Sequence, residues 1–141
     1  MYQIIYSSTA AVPFSERDLS TLLLRARGNN ERLGVTGLLL SHENSFLQAL
    51  EGDEAVLEAL FLVISRDKRH DQIVKLLVRN VEGRHFAGWR MGFVAVSSIA
   101  KTLPGFSDYL RHRGERDGTA DAAARLLSAF RDGRFHNHVR V

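Results

Sequence analysis

Residues Tyr2 to Ser8 alternate Tyr2, Ile4 and Tyr6 with Gln3, Ile5 and Ser7, so both sides of an extended segment carry large apolar groups. A strand that is apolar on both faces must be covered on both faces. The chain therefore calls for a sheet with one layer above it and another below, which excludes a plain helical bundle and a sheet with one solvated side.

The segments that follow specify how that sheet is built. Pro13 breaks the first strand, and Ser15 with Asp18 forms the pattern of a capping box. Leu19, Leu22, Leu23 and Ala26 then recur at helical spacing, and Gly28 marks the expected end of this helix. Residues 35–41 and 45–50 read as two strands of a hairpin joined by His42-Glu43-Asn44. Gly52-Asp53 closes the second of them and caps a helix carrying Val56, Leu57, Leu60, Val63 and Ile64, which ends among the cations Arg66, Lys68, Arg69 and His70. Alternation over residues 72–79 sets Val74, Leu76 and Val78 against Lys75 and Arg79. A last strand over 89–96 sets Trp89, Met91 and Phe93 on one face. The order is βαββαβ with an added strand, an α+β, ferredoxin-like plan with two helices on one sheet face. The tail supplies the other layer: a helical stretch interrupted at Pro104, then Thr119 as cap of a helix with Leu126, Leu127 and Phe130 on its apolar side, ending at Gly133. This divides the chain into residues 1–97 and a helical extension, 98–141, packed on the sheet.

Composition narrows the chemistry. The 141 residues suit one domain and leave no room for a second, catalytic one. With no cysteine, disulfides, thiolate metal sites and thiol catalysis are excluded. The longest apolar run, Ala59 to Ile64, is far shorter than the about 20 residues a membrane span needs, and the strand pattern at Tyr2 leaves no signal peptide. The expected compartment is the cytoplasm. Residues 1–98 hold 11 Lys or Arg and 11 Asp or Glu, and the remainder 8 and 5, so the net charge of +3 sits in the tail. Those charges alternate with acids, which does not make the concentrated basic face of a nucleic-acid binder. His42, His85 and His112 are isolated, and His136 and His138 lack carboxylates at ligand spacing, so no metal site is expected.

Polar residues in apolar settings carry the functional signal. Gln48 lies inside Phe46-Leu47-Gln48-Ala49-Leu50-Glu51-Gly52, where an unpaired buried amide costs about 1–3 kcal/mol, so it demands partners. Tyr6 alone reads as an ordinary core tyrosine, Asn30 as a helix-end residue, Asp67, Arg69 and His70 as a solvated helix terminus, and Trp89 with Met91 as a core stripe. Together with Val35-Thr36-Gly37, Arg66-Asp67-Lys68-Arg69-His70 and Phe86-Ala87-Gly88-Trp89, they resemble the BLUF family of flavin-binding blue-light sensors over residues 1 to about 96.

That resemblance implies a non-covalent FAD between the two helices, with an apolar ring site that would accept FMN as well. It implies Tyr6 as electron and proton donor to the flavin and Gln48 as relay between the phenol and the flavin edge, its amide changing by rotation or by tautomerisation. Asn30 is implied on the flavin pyrimidine edge, with Asn29 in that place if the register differs by one; Asp67, Arg69 and His70 lie near the ribityl chain and ring edge. Trp89 and Met91 pass the change into the last strand. Cysteinyl-adduct photochemistry of the LOV type is excluded by the composition. Output would go to a separate, unidentified downstream protein or through homodimerisation by an edge strand or the tail. Two other readings compete. Acylphosphatase-like hydrolysis uses a ferredoxin-like fold but needs a glycine-rich loop after the first strand, and residues 7–16 hold no glycine. A BLUF-like interaction domain without flavin would leave the Tyr6, Asn30 and Gln48 set without a use.

Overall fold

The computed structural model describes residues 1–12, 15–42, 45–95 and Arg125. Its elements are β1 (Tyr2–Ala10), α1 (Glu16–Leu33), β2 (Thr36–His42), β3 (Ser45–Gly52), α2 (Glu54–Ser65), β4 (His70–Asn80) and β5 (Gly92–Ala95). The sheet order is β4-β1-β3-β2-β5. β1 pairs antiparallel with β3 and β4, β2 antiparallel with β3, and β5 adds parallel to β2. This is the ferredoxin-like arrangement with its extra strand at one edge. The helical extension expected over 98–141 lies outside the described residues.

Cross-strand register sorts the side chains between two faces. Tyr6 opposes Gln48, which opposes Leu39, while Ile4 opposes Leu50. These residues share a core with Leu23 of α1 and Leu57 of α2, so both helices cover the same face. The far face carries Gln3, Ile5, Leu38, Leu40, Leu47 and Glu51, all fully buried. The two-sided burial expected of the first strand is therefore found.

α1 begins as its sequence demands. Ser15 Oγ accepts from the Asp18 amide at 3.1 Å, and the Asp18 carboxylate accepts from the Ser15 amide at 3.2 Å. It does not end at Gly28 but runs through it to Leu33 and stops at Gly34, whose φ of 69° is the left-handed conformation glycine adopts freely. Glycine inside an exposed helix costs only about 1 kcal/mol. Continuing the helix places Leu33 against the core and Asn30, 2% exposed, inward on the same stripe as Leu19, Leu23 and Ala26.

Three further departures have physical causes. α2 stops at Ser65, and the cationic run is the turn into β4, with His70 as the strand's first residue. In β4 the register against β1 shifts between Ile5 and Tyr6, so Leu77 opposes Ile5 while Lys75 opposes Tyr6. The bulge at Leu76 breaks the alternation: Val74 and Val78 fall on opposite faces, as do Lys75 and Arg79. Finally, β5 starts at Gly92, so Trp89 and Met91 precede the strand. The Trp89 amide instead closes a turn onto the Phe86 carbonyl at 2.9 Å.

Candidate functional site

The helix-covered face of the sheet is not fully closed. Between α1 and α2 lies a cleft of about 340 Å³, within the usual size range of about 300–1,000 Å³ for small-molecule sites. Its floor is Tyr6 of β1, Leu39 of β2 and Phe46, Gln48 and Leu50 of β3. Its walls are Leu22, Leu23, Ala26 and Asn30 of α1 and Leu60, Val63 and Ile64 of α2. Asp67, Arg69 and His70 stand at one end, and Met91 borders Gln48. Val63 is 68% exposed although it lines this apolar slot, an exposure that a flat apolar ligand would remove.

Strand pairing sets the central contact. Because Tyr6 and Gln48 are directly opposed on β1 and β3, the phenol donates to Gln48 Oε1. On its other side Gln48 Nε2 donates to the Met91 sulfur at 3.4 Å. A thioether only accepts, so the amide atom facing it must be the nitrogen, and the oxygen is thereby turned to the phenol. Gln48 thus meets the demand for partners with one residue on each flank. Tyr6 also packs edge-on against Phe61, ring centroids 5.3 Å apart. Burial pushes the Tyr6 pKa well above the usual tyrosine value, with the Asp67 carboxylate adding to the rise. The phenol is held as a protonated donor.

The end of the cleft is a second hydrogen-bonded group. His70 Nε2 lies 2.7 Å from the Ile64 carbonyl, which can only accept, so this nitrogen carries hydrogen; in the neutral ring Nδ1 then accepts from Ser8 Oγ at 3.0 Å. The ring ties the last turn of α2 to β1. Asp67 accepts from the Arg69 amide at 2.9 Å and from its guanidinium at 2.5 Å. The guanidinium beside Asp67 holds its carboxyl down to about 2. This pair is partly exposed and faces the opening rather than the floor.

Asn30 lies on the wall near Met91, and its Nδ2 donates to the Arg90 carbonyl at 2.5 Å, leaving Oδ1 and a second amide hydrogen for a ligand. Asn29, the alternative, is exposed one position round the helix and also lines the cleft. The structure thus brings Tyr6, Gln48, Asn30, Asp67, Arg69, His70 and Met91 around one cleft. Trp89 is not among the residues that line the cleft: it is half-buried and stacked on Phe86, ring centroids 5.9 Å apart. Sequence reasoning missed Ser8, the partner of His70, and Arg27, whose Nε donates to the Met91 carbonyl at 3.0 Å. Arg27 precedes Asn30 by one helical turn, a spacing that places the two on adjoining helix positions, but an arginine there reads as solvated surface.

The donor set fits a flavin: an apolar slot for a planar ring, with two amides on the side of the slot nearest Met91 and polar groups at the far end. Among the described residues, no group of three or more His, Cys, Asp or Glu could hold a metal, and no helix is long and apolar enough to cross a membrane.

Comparison with known proteins agrees with this geometry. The photoactivated adenylate cyclase subunit alpha of Euglena gracilis is 32% identical over 107 residues, 76% of this chain and 10% of that protein. The chain spans only 10–12% of the length of such curated relatives. The structure of Klebsiella pneumoniae BlrP1 with FMN and cyclic diGMP superposes with a TM-score of 0.78 at 34% identity, over 95% of this chain and 35% of that one. The dark state structure of BlrB, a BLUF protein, gives 0.69 at 27% identity, over 92% and 96%. The BLUF profile, described as sensors of blue-light using FAD, matches residues 1–92, and the chain belongs to that family.

Proposed function

We propose that this chain is a blue-light receptor that holds FAD non-covalently in the cleft between α1 and α2, and that its light-dependent element is the row Tyr6, Gln48, Met91. The observation that carries this reading is the amide of Gln48 fixed between a phenol and a thioether on the cleft floor. Leu22, Leu23, Leu60, Val63 and Ile64 would enclose the ring, Asn30 would hold one polar edge, and Asp67, Arg69 and His70 would border the ribityl side.

Bound flavin supplies a photo-excitable electron acceptor. The chain's own part is a two-position switch. With Oε1 toward Tyr6 and Nε2 toward Met91, both neighbours of the amide are satisfied. Rotating the amide sets Nε2 against the phenol, which must then accept, and Oε1 against a sulfur that cannot donate. One rotation therefore reverses the direction of the phenol contact, breaks the sulfur contact and frees Met91, whose unbranched side chain repacks readily. Tautomerisation would also change the donor at Nε2, so either route reaches Met91. Tyr6, kept protonated by its burial, supplies the electron and proton that begin the change.

Output is assigned to a separate partner protein. Residues 98–141 are assigned to the far sheet face, where Ile5, Leu38, Leu40 and Leu47 form a fully buried apolar surface that requires a covering layer.

The test is an absorption spectrum of the purified protein in darkness, after blue light and during dark recovery. A reversible red shift of the flavin bands is expected. Tyr6→Phe and Gln48→Leu should each retain flavin and lose the normal shift. A normal shift in either variant removes that residue from the switch, and a protein that cannot take up FAD refutes the reading.

A further inference from the structure

The segment before β5 is held at each of its last backbone carbonyls by a different group. The Trp89 carbonyl accepts from the Gly37 amide of β2 at 2.9 Å. The Arg90 carbonyl accepts from Asn30, and the Met91 carbonyl from Arg27 Nε at 3.0 Å, both on α1. Strand pairing begins only after these contacts, with Gly92 opposite Leu38. The approach of the Met91 sulfur to Gln48 is therefore not set by the β2–β5 ladder. Two side chains of α1 and one backbone amide of β2 hold the segment up to that point, and the two carbonyls nearest the sulfur are held from α1.

We infer that Arg27 is a positioning residue for Met91: by fixing the Met91 carbonyl from α1, it keeps the thioether within reach of the Gln48 amide. The inference rests on the light-switch reading above and adds to it the element that receives the change first outside the sheet. When the amide turns and the sulfur contact is lost, the side chain is released while the backbone stays latched to α1. Return then requires only that the side chain fall back into place. Without Arg27 the backbone relaxes too, and return must rebuild both. The latch thus sets the lifetime of the illuminated state by pre-organising the way back. Asn30 holds the neighbouring carbonyl, but it also borders the proposed ring site, whereas Arg27 can be replaced without substituting a residue of the cleft lining.

The chain has two methionines, Met1 and Met91, so methyl-labelled methionine gives a two-signal NMR spectrum with Met1 as internal control. In flavin-free protein, Arg27→Ala should move or broaden the Met91 methyl signal, leave Met1 in place, and leave the thermal midpoint nearly unchanged because Arg27 is exposed. In the flavin-loaded protein the same variant should keep the light-induced shift and recover in the dark about fivefold more slowly, equivalent to about 1 kcal/mol in the barrier. Arg27→Lys, which keeps a cationic donor, should return both readouts toward wild type. An unmoved Met91 signal, or recovery at the wild-type rate in Arg27→Ala, overturns the inference. A wild-type protein without any light-induced shift overturns the photoreceptor reading instead, and the methyl signal of the flavin-free protein still decides whether Arg27 positions Met91.

Discussion

Replacing Glu51 with alanine should remove a large part of the stability of this domain while leaving the cleft lining untouched. Glu51 is fully buried on the far face of β3, and its carboxylate accepts from four groups. The amides of His85 and Phe86 bind at 2.7 Å each, Thr36 Oγ1 at 3.1 Å and Gln3 Nε2 at 3.3 Å. Thr36 and Gln3, whose Nε2 also lies 3.5 Å from His85 Nδ1, have rotatable side chains that can turn their donors elsewhere. The two backbone amides cannot. An unsatisfied buried donor costs about 1–3 kcal/mol, so two orphaned amides cost about 2–6 kcal/mol, against a total of about 5–15 kcal/mol for an ordinary domain. Glu51→Gln keeps one acceptor and turns a donor toward a donor, so it should cost about half as much. Urea unfolding reads this directly, because Trp89 is the single tryptophan and stacks on Phe86, the residue whose amide is at stake. A loss of less than about 1 kcal/mol in Glu51→Ala, at an unchanged dependence on urea, would refute the assignment of those amides to the carboxylate as their indispensable partner.

Two other outcomes follow from the structure. A Cβ on Gly37 would lie 2.2 Å from the Ala49 carbonyl oxygen, which is backbone and cannot turn aside. Gly37→Ala should therefore cost about 1–3 kcal/mol and disturb Trp89 fluorescence, since the Gly37 amide holds the Trp89 carbonyl; wild-type stability with wild-type fluorescence would refute the close approach. Burial raises the folded-state pKa of Tyr6 above 10.0, so its contribution to stability is complete below pH 10 and is lost as pH rises through the higher folded value. The light-induced shift should accordingly keep its amplitude from neutral pH to about pH 10, and a loss of amplitude below that range would place the phenol in a more solvated setting than its burial implies.

The sequence displayed the fold wherever local pattern and tertiary burial coincide. β1 is apolar on both faces because it is central, and α1 carries its own capping box, so both could be read residue by residue. The end of α1 could not. Gly28 looks like a stop, yet the true stop requires a left-handed residue, and only the continuing stripe through Asn30 and Leu33 shows that Gly34 supplies it. The β4 bulge was hidden for a different reason, since an inserted residue leaves composition unchanged and is visible only against a partner strand. The site residues were legible as a set because Gln48 in an apolar strand demands partners. Arg27 was not, because its donor acts on a backbone carbonyl more than sixty residues away, and no side-chain pattern records such a bond.

β3 presents Gln48 to the cleft and Glu51 to the opposite face, and both grip the same connection between β4 and β5. Glu51 anchors it at His85 and Phe86, while Gln48 touches it at Met91. The first grip is made by two short backbone bonds, that of Phe86 buried and that of His85 partly so, the second by a single weak contact from an amide to a sulfur. A rotation at Gln48 can thus let go of one end of the connection while the other end stays fixed. The motion available to the Trp89–Met91 segment is then a swing about an anchored base, restrained by Arg27, Asn30 and Gly37, and not a general loosening of the sheet. Weakening the Glu51 anchor should blur that motion even where Tyr6, Gln48 and the other cleft-lining residues are intact. A domain with normal photochemistry but a displaced anchor would therefore register light at the amide and fail to carry it to β5.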